Sequence, residues 1–408
     1  MNIEQKSELE KKISFIMSYG SALHGYGAPA HRLERAMSNV SIELGLKGEF
    51  FCTPTAIMAS FDTPIGRRPA ITRTEPGSIE LGKMILTDKV GDAIIDGEID
   101  HREGQRRVSE ILNSACAYGS QITTLSYGLI SVVIASLFKG GFNELLISFL
   151  IGLVVGGISI LTKKDNAISR IFETAAAFFV MLISSALFYY YPEFSTQIVI
   201  VSSLIILIPG LPLTIAVEEL ATNNLVSGTA RLMHALVIFF KIGFGVVIGN
   251  ELAIRIFPST ESILQISQIP FFLEWGLILI APLAFTIAFK ARFKDAPWIF
   301  IAGVLGIISS KFGSSYFGPE LGAFVGGFVV GLGSNLYAKL KHKPAAVTLL
   351  PGIILLVPGS IGFKGLKSML EHDTLVGLDL AFDMLIIATA LVAGLLLANI
   401  FISSKRSL

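Results

Sequence analysis

The sequence predicts a membrane α-helical protein, with ten transmembrane helices as a 5+5 inverted repeat preceded by a small α+β soluble domain. Composition is the first reason. The 408 residues are 52% hydrophobic and only 15% charged, with a mean hydropathy of +0.68, which is an integral membrane composition. Charge distribution is the second: positions 1–118 hold 30 of the 63 Lys, Arg, Asp and Glu residues. The third is a dipeptide that interrupts two apolar segments, Pro209-Gly210 in SSLIILIPGLPLTIAVEEL and Pro358-Gly359 in LLPGIILLVPGSIGFKGL.

In the head, taken as residues 1–118, Ile3, Leu9, Ile13, Phe15, Ile16 and Leu23 recur at helical spacing until HGYG breaks the pattern. A second helix is expected from about Pro29, a residue suited to a first helical turn, through Leu33, Ala36, Met37 and Val40 to Leu44, ending at Gly45. The β-favouring stretches GEFFCTPTAIMASFDT and RRPAITRTEP read as the strands of a hairpin, and the segment from Ser78 to Gly119 returns to helix with one or two interruptions. The polar start, MNIEQKSELEKK, does not resemble a cleavable signal.

Ten apolar segments follow, at about 122–138, 145–161, 171–190, 197–217, 232–252, 271–289, 297–310, 321–337, 345–363 and 380–402. Lysine and arginine concentrate on the cytoplasmic side of membranes and so test this count. With the head inside, the inner loops and tail carry Lys163, Lys164, Arg170, Arg231, Lys290, Arg292, Lys294, Lys339, Lys341, Lys343, Lys405 and Arg406. The outer loops carry Lys139, Arg255, Lys311, Lys364 and Lys367. The excess, twelve against five, predicts both termini in the cytoplasm and an even number of spans.

The two prolines are 149 residues apart, and moving the first five segments by 149 puts them at about 271, 294, 320, 346 and 381, near the starts of the second five. The expected division is therefore 1–118, 119–257 and 258–408. Five is odd, so the second module crosses in the opposite sense, as in many secondary transporters. Proline removes a backbone donor and glycine frees the chain, so both dipeptides should unwind their helices. Unwound backbone at membrane depth is tolerated only against protein or a water-filled cavity. A half-helix starting after the break turns N–H groups and its positive dipole toward the gap, suited to a carboxylate, while freed carbonyls suit an ammonium group. A kink packed against neighbouring helices is the plainer alternative.

Ionisable residues in or beside the spans are Glu173, Glu218, Glu219, Arg231, His234, Lys241, Glu251, Glu274, Glu320, Asp379 and Asp383. Most lie near span ends, where a solvated boundary charge explains them. Lys241 and Asp383 lie deeper, where charge is expensive; they could pair with one another, or Asp383 could carry a proton. His234 and Asp383 are also 149 apart, which makes them equivalent in the two modules and the candidates for proton coupling.

The near-zero net charge of +1 gives no sign of a nucleic-acid partner, and Cys52 and Cys116 are too few for a disulfide framework or a metal site. In the head, His24, His31, Glu34, Asp62 and His101 are candidates for chemistry, with His31 and Glu34 one helical turn apart. No His-Glu-x-x-His, nucleophile elbow or phosphate loop accompanies them, so a salt-bridged or capped surface helix is the better reading, with neither a metal nor a cofactor expected. A hydrolase anchored in the membrane is the rival from another class; turnover by residues 1–118 that is lost in His24→Ala would favour it.

Residues 18–61, from SYGSALHGYGAPAHRLERAM to TAIMASF, resemble the N-terminal domain of the threonine/serine exporter family. PGLPLTIAVEELATNNLVSGTARL is similar to that family's first-half signature, and KDAPWIFIAGVLGIISSKFG with HKPAAVTLLPGIILLVPGS to its second-half module. The resemblance implies a secondary transporter, not an enzyme, that exports threonine, serine or other small polar amino acids on the proton gradient; related split proteins are associated with dicarboxylate export. It carries the substrate site to Pro209, Gly210, Glu219, Ser227, Gly228, Arg231, Pro358 and Gly359. Membrane lipid and protons are the further partners, and a homo-oligomer is left open.

Overall fold

A computed structural model describes residues 3–75, 77–162, 166–258, 269–370 and 373–402. The head opens with α1 (Ile3–Gly25) and α2 (Ala30–Glu43), separated by Gly27 at φ 91°, a left-handed turn that glycine adopts without a side-chain clash. The stretch expected to supply one strand of a hairpin supplies two. Pro54 and Thr55 turn the chain, so β1 (Lys47–Thr53), β2 (Ala56–Thr63) and β3 (Gly66–Arg73) form a three-stranded antiparallel sheet in the order β1-β2-β3. Then come α3 (Leu81–Ile95) and α4 (His101–Asn113), the latter capped by Asp100, whose carboxylate accepts from the Glu103 N–H at 2.9 Å. Phe15, Ile16, Leu23, Leu33, Met37, Ile57, Phe61, Leu81 and Met84 are fully buried together, each worth about 2 kcal/mol of apolar burial.

Beyond the head the chain is helical: α5 (Ser120–Leu137), α6 (Phe142–Thr162), α7 (Asn166–Tyr190), α8 (Thr196–Leu204), α9 (Gly210–Ala221) and α10 (Leu225–Ile256). The second series is α11 (Phe271–Ala288), α12 (Ala296–Phe317), α13 (Pro319–Lys341), α14 (Ala346–Ile353), α15 (Gly359–Leu370) and α16 (Thr374–Phe401). Among the described residues eight helices are long and apolar enough to cross a membrane. The other two segments expected to cross are each split into short helices, α8 with α9 and α14 with α15. In both, the second helix begins on the glycine of the Pro-Gly pair. The cations Lys163, Lys164, Lys405 and Arg406 lie outside the described residues.

The two series match element by element. A displacement of 149 carries Gly210 to Gly359 and Leu225 to Thr374, the first residues of α9 and α15 and of α10 and α16. Packing repeats as well: α7 lies along α10 as α13 lies along α16, while α10 meets α15 and α16 meets α9. The reciprocal contact continues to single residues. A Cβ on Gly210 would stand 2.5 Å from the Val357 side chain, and one on Gly359 2.9 Å from that of Ile208, residues again 149 apart.

Among the described residues, the head meets the helical body at the α9–α10, α11–α12 and α13–α14 turns. Ala30 donates to Glu219 at 3.0 Å, Leu81 and Gly82 donate to the carbonyls of Phe289 and Lys290 at 3.0 and 3.1 Å, and Tyr118 donates to the Ala291 carbonyl at 2.7 Å. Ile85 of α3 joins Tyr337 and Val347 in a small apolar cluster beside Trp298.

Candidate functional site

Proline has no N–H, and that alone removes the helical donor to the carbonyl four residues before it. At the first break the Gly210 N–H turns back to the Ile208 carbonyl at 2.8 Å, and the chain resumes helical bonding only with Leu213 donating to Pro209 at 3.0 Å. The carbonyls of Ile206 and Leu207 and the N–H of Leu211 consequently form no backbone hydrogen bond among the described residues. The second break repeats this at Leu355, Leu356 and Ser360, where Ile361 and Gly362 both return to the Pro358 carbonyl at 3.1 and 3.2 Å. The two breaks abut: a Cβ on either glycine would lie 3.2 Å from the Cα of the other. Two half-helix N-termini therefore face each other, with free donors and acceptors in equivalent places.

Of these residues, Ile206, Leu211, Leu355 and Ser360 border a cavity of about 580 Å³ that runs along α5 from Thr123 to Phe138. Leu211 and Ser360 line it together with both glycines. Its wall is mostly apolar, with hydroxyls from Tyr127, Ser159 and Ser360, and Lys290 is the only charged side chain among the described lining residues. The head contributes Ser78 and Ile79 to one end. At the other, the Lys364 ammonium stands 4.7 Å from the centre of the Phe138 ring.

Glu219, Ser227 and Arg231 come together elsewhere. They lie about 14 Å along α9 from Gly210, at the head-side end. Glu219 is fully buried, and its carboxylate accepts from the Ala30 N–H at 3.0 Å, the Ser227 hydroxyl at 2.8 Å and the Arg231 guanidinium twice at 3.1 Å. Its acceptor capacity is thereby used by protein groups. The Ala30 N–H opens α2, so Glu219 caps a head helix from the membrane body. Gly228 allows this close fit, since a Cβ there would be 3.0 Å from the Ala216 carbonyl. Pro209, Gly210, Pro358 and Gly359 thus form one group and Glu219, Ser227, Gly228 and Arg231 another.

Two histidines of the head, His24 and His31, lie beside the second group, whereas His101 stays within the head, 3.1 Å from Glu8. His31 Nε2 lies 3.7 Å from Glu218, and His24 Nε2 is 3.0 Å from the Thr53 carbonyl. Burial, with Arg32 and Arg35 close by, pushes the His31 pKa down from 6.5 to about 4 against the pull of Glu219, so at neutral pH the imidazole carries no charge and the contact is not an ion pair. Burial also lowers the His24 pKa and raises that of Glu34, whose carboxylate accepts from the Cys52 N–H at 2.7 Å. His31 and Glu34 belong to an interface, not to the exposed face of a surface helix.

Lys241 does not pair with Asp383. It reaches Glu173 on α7 at 2.6 Å, because α7 packs along α10 while Asp383 faces outward from α16. His234 is exposed on α10, and neither it nor Asp383 makes a hydrogen bond or ion pair among the described residues. In the helical body, two buried acids escaped the sequence reading. Glu144 accepts from the Gly141 and Ser195 N–H groups at 2.8 and 2.7 Å, tying the starts of α6 and α8; Asp295, which precedes α12, receives Tyr337 at 3.1 Å and the Lys343 ammonium. The Asp-Ala-Pro at 295–297 was a legible helix-start signal for the second.

A family model described as a threonine/serine exporter matches residues 14–253, and a second of the same description matches residues 275–401. A pheromone-regulated membrane protein 10 of Candida albicans (strain WO-1) is 30% identical over 369 residues, covering 88% of this chain and 33% of that protein. Proteins of the same name from Eremothecium gossypii and Saccharomyces cerevisiae (strain YJM789) are 25% and 26% identical, over 88% and 91% of this chain and 49% of each relative. The chain thus spans between a third and a half of the length of these curated relatives. No solved structure matches it.

Proposed function

The chain belongs to the threonine/serine exporter family of membrane proteins, and from that premise we propose that it exports small polar amino acids, threonine and serine first, on the proton gradient. The observation that carries this reading is the cavity whose wall holds both broken-helix N-termini. The free N–H groups of Leu211 and Ser360 suit a carboxylate, and the free carbonyls of the two breaks suit an ammonium group. The ten passes form a 5+5 inverted repeat about the Gly210–Gly359 contact, with the head and both termini in the cytoplasm. Rocking one module against the other about this contact exposes the site to either side. Asp383 and His234, equivalent and unpaired on α16 and α10, carry the coupling proton.

A dicarboxylate substrate is the second reading. It is favoured by the absence of any acid among the described lining residues, since two carboxylates would then have two N-termini and Lys290. Proteoliposomes with an imposed pH gradient decide: threonine and serine movement that follows the gradient supports the first reading, and succinate movement alone replaces it with the second. No movement of any of the three removes both.

A further inference from the structure

Resting on that transport reading, we infer that Lys290 is the head-side receptor for the substrate's carboxylate and that Glu80 of the head is the counter-ion the substrate displaces. Lys290 is the only charged side chain among the described lining residues of a mostly apolar cavity. A cation there without a counter-ion would be costly, and the head supplies one: the Lys290 ammonium binds the Glu80 carboxylate and lies 3.5 Å from the Ser78 hydroxyl. Replacing one carboxylate by another leaves the charge of the site unchanged.

The backbone holds this arrangement in register. Lys290 follows α11 at φ 50°, in the left-handed position that closes a helix, with Ala291 donating back to the Thr286 carbonyl at 2.9 Å. Its carbonyl accepts from Gly82 at 3.1 Å while Phe289 accepts from Leu81 at 3.0 Å, which fixes Glu80, one residue earlier, within reach of the ammonium. A Cβ at Gly82 would sit 2.8 Å from the Lys290 carbonyl oxygen, so the approach requires glycine. Glu80 is not stranded when the lysine turns away. Lys83 stands 4.0 Å from its other oxygen and is anchored on the Ser114 carbonyl at 2.9 Å. Glu80 thus has a second cation, and Lys290 a second carboxylate whenever substrate is present.

Opposite effects of the two partners separate this from a plain staple between head and membrane body. Dissociation constants for threonine, serine and succinate would be measured on the full-length detergent-purified chain, with exchange in proteoliposomes alongside. Lys290→Asn, which tolerates the left-handed backbone, should weaken binding of the preferred substrate about tenfold or more, and Lys290→Arg should stay within roughly threefold. Glu80→Gln removes the competitor and should tighten binding severalfold. A staple predicts the same direction for Lys290→Asn and Glu80→Gln, since both break one pair; that result, or unchanged binding in both, overturns the assignment. Wild-type chain that binds and moves none of the three removes the transport reading and this assignment together. Threonine and serine affected without succinate, or the reverse, supports the assignment and identifies the carboxylate source.

Discussion

Neither Gly210 nor Gly359 has room for a methyl group: its first contacts would be Val357 at 2.5 Å or Ile208 at 2.9 Å, with the other glycine's backbone close behind. The constraint is the approach of one break to the other. Neither glycine is among the residues at positive φ. Gly210→Ala and Gly359→Ala should therefore abolish substrate binding in protein that still reaches the membrane folded. Normal binding by either well-folded variant would reduce the dipeptides to packed kinks. Glu219 calls for a different expectation, because its four hydrogen bonds all go to protein groups. Glu219→Gln leaves Arg231 without its carboxylate and should cost roughly 3 kcal/mol of head docking. Faster proteolysis of the exposed segment 114–117 at unchanged substrate affinity is the expected result; a loss of affinity with the head still docked would return Glu219 to the substrate site.

At the scale of elements, α2 docks by its N-terminus and carries a partly buried neutral imidazole into the junction. An undocked, solvated His31 binds a proton near 6.5, whereas the docked one does so only near 4. Docked protein therefore binds fewer protons between these values, so docking is at full strength above about pH 6.5 and weakens as pH falls toward 4. The loss reaches at most about 3 kcal/mol. Thermal unfolding of the purified chain should show a lower Tm at pH 5 than at pH 7. His31→Gln should remove part of that difference and leave the portion due to His24, whose pKa is lowered in the same way. Equal pH dependence in wild type and His31→Gln would exclude the imidazole as the titrating group.

For the whole molecule, the head meets the α9–α10, α11–α12 and α13–α14 turns among the described residues, and the 23-residue α13 carries Ser315 and His342 beyond its opposite ends. A cysteine at exposed Ser315, before α13, should react with an impermeant reagent from outside, and one at His342, after it, only after permeabilisation. Exposed Cys116 must first be replaced, whereas buried Cys52 can stay. The reverse pattern would invert the orientation and break the ten-pass count.

Apolar run length, cation bias and the Pro-Gly interruptions are local properties, so the sequence alone determined the helical membrane class, the separate head and the places where two helices start again after a break. Gly210 and Gly359 were legible because proline and glycine act on their own backbone whatever surrounds them. The third strand was not, since Pro54 ends one strand and opens the next only when both find partners. Only the tertiary structure brought the two breaks into contact, gathered Ser227, Arg231 and the N-terminus of α2 around Glu219 under the head, and gave Lys241 to Glu173 instead of Asp383. Charge partners are decided by which faces of helices far apart in sequence meet, and no periodicity along one helix records that. Lys290 and Glu80, 210 residues apart, met only when α3 docked end to end on α11.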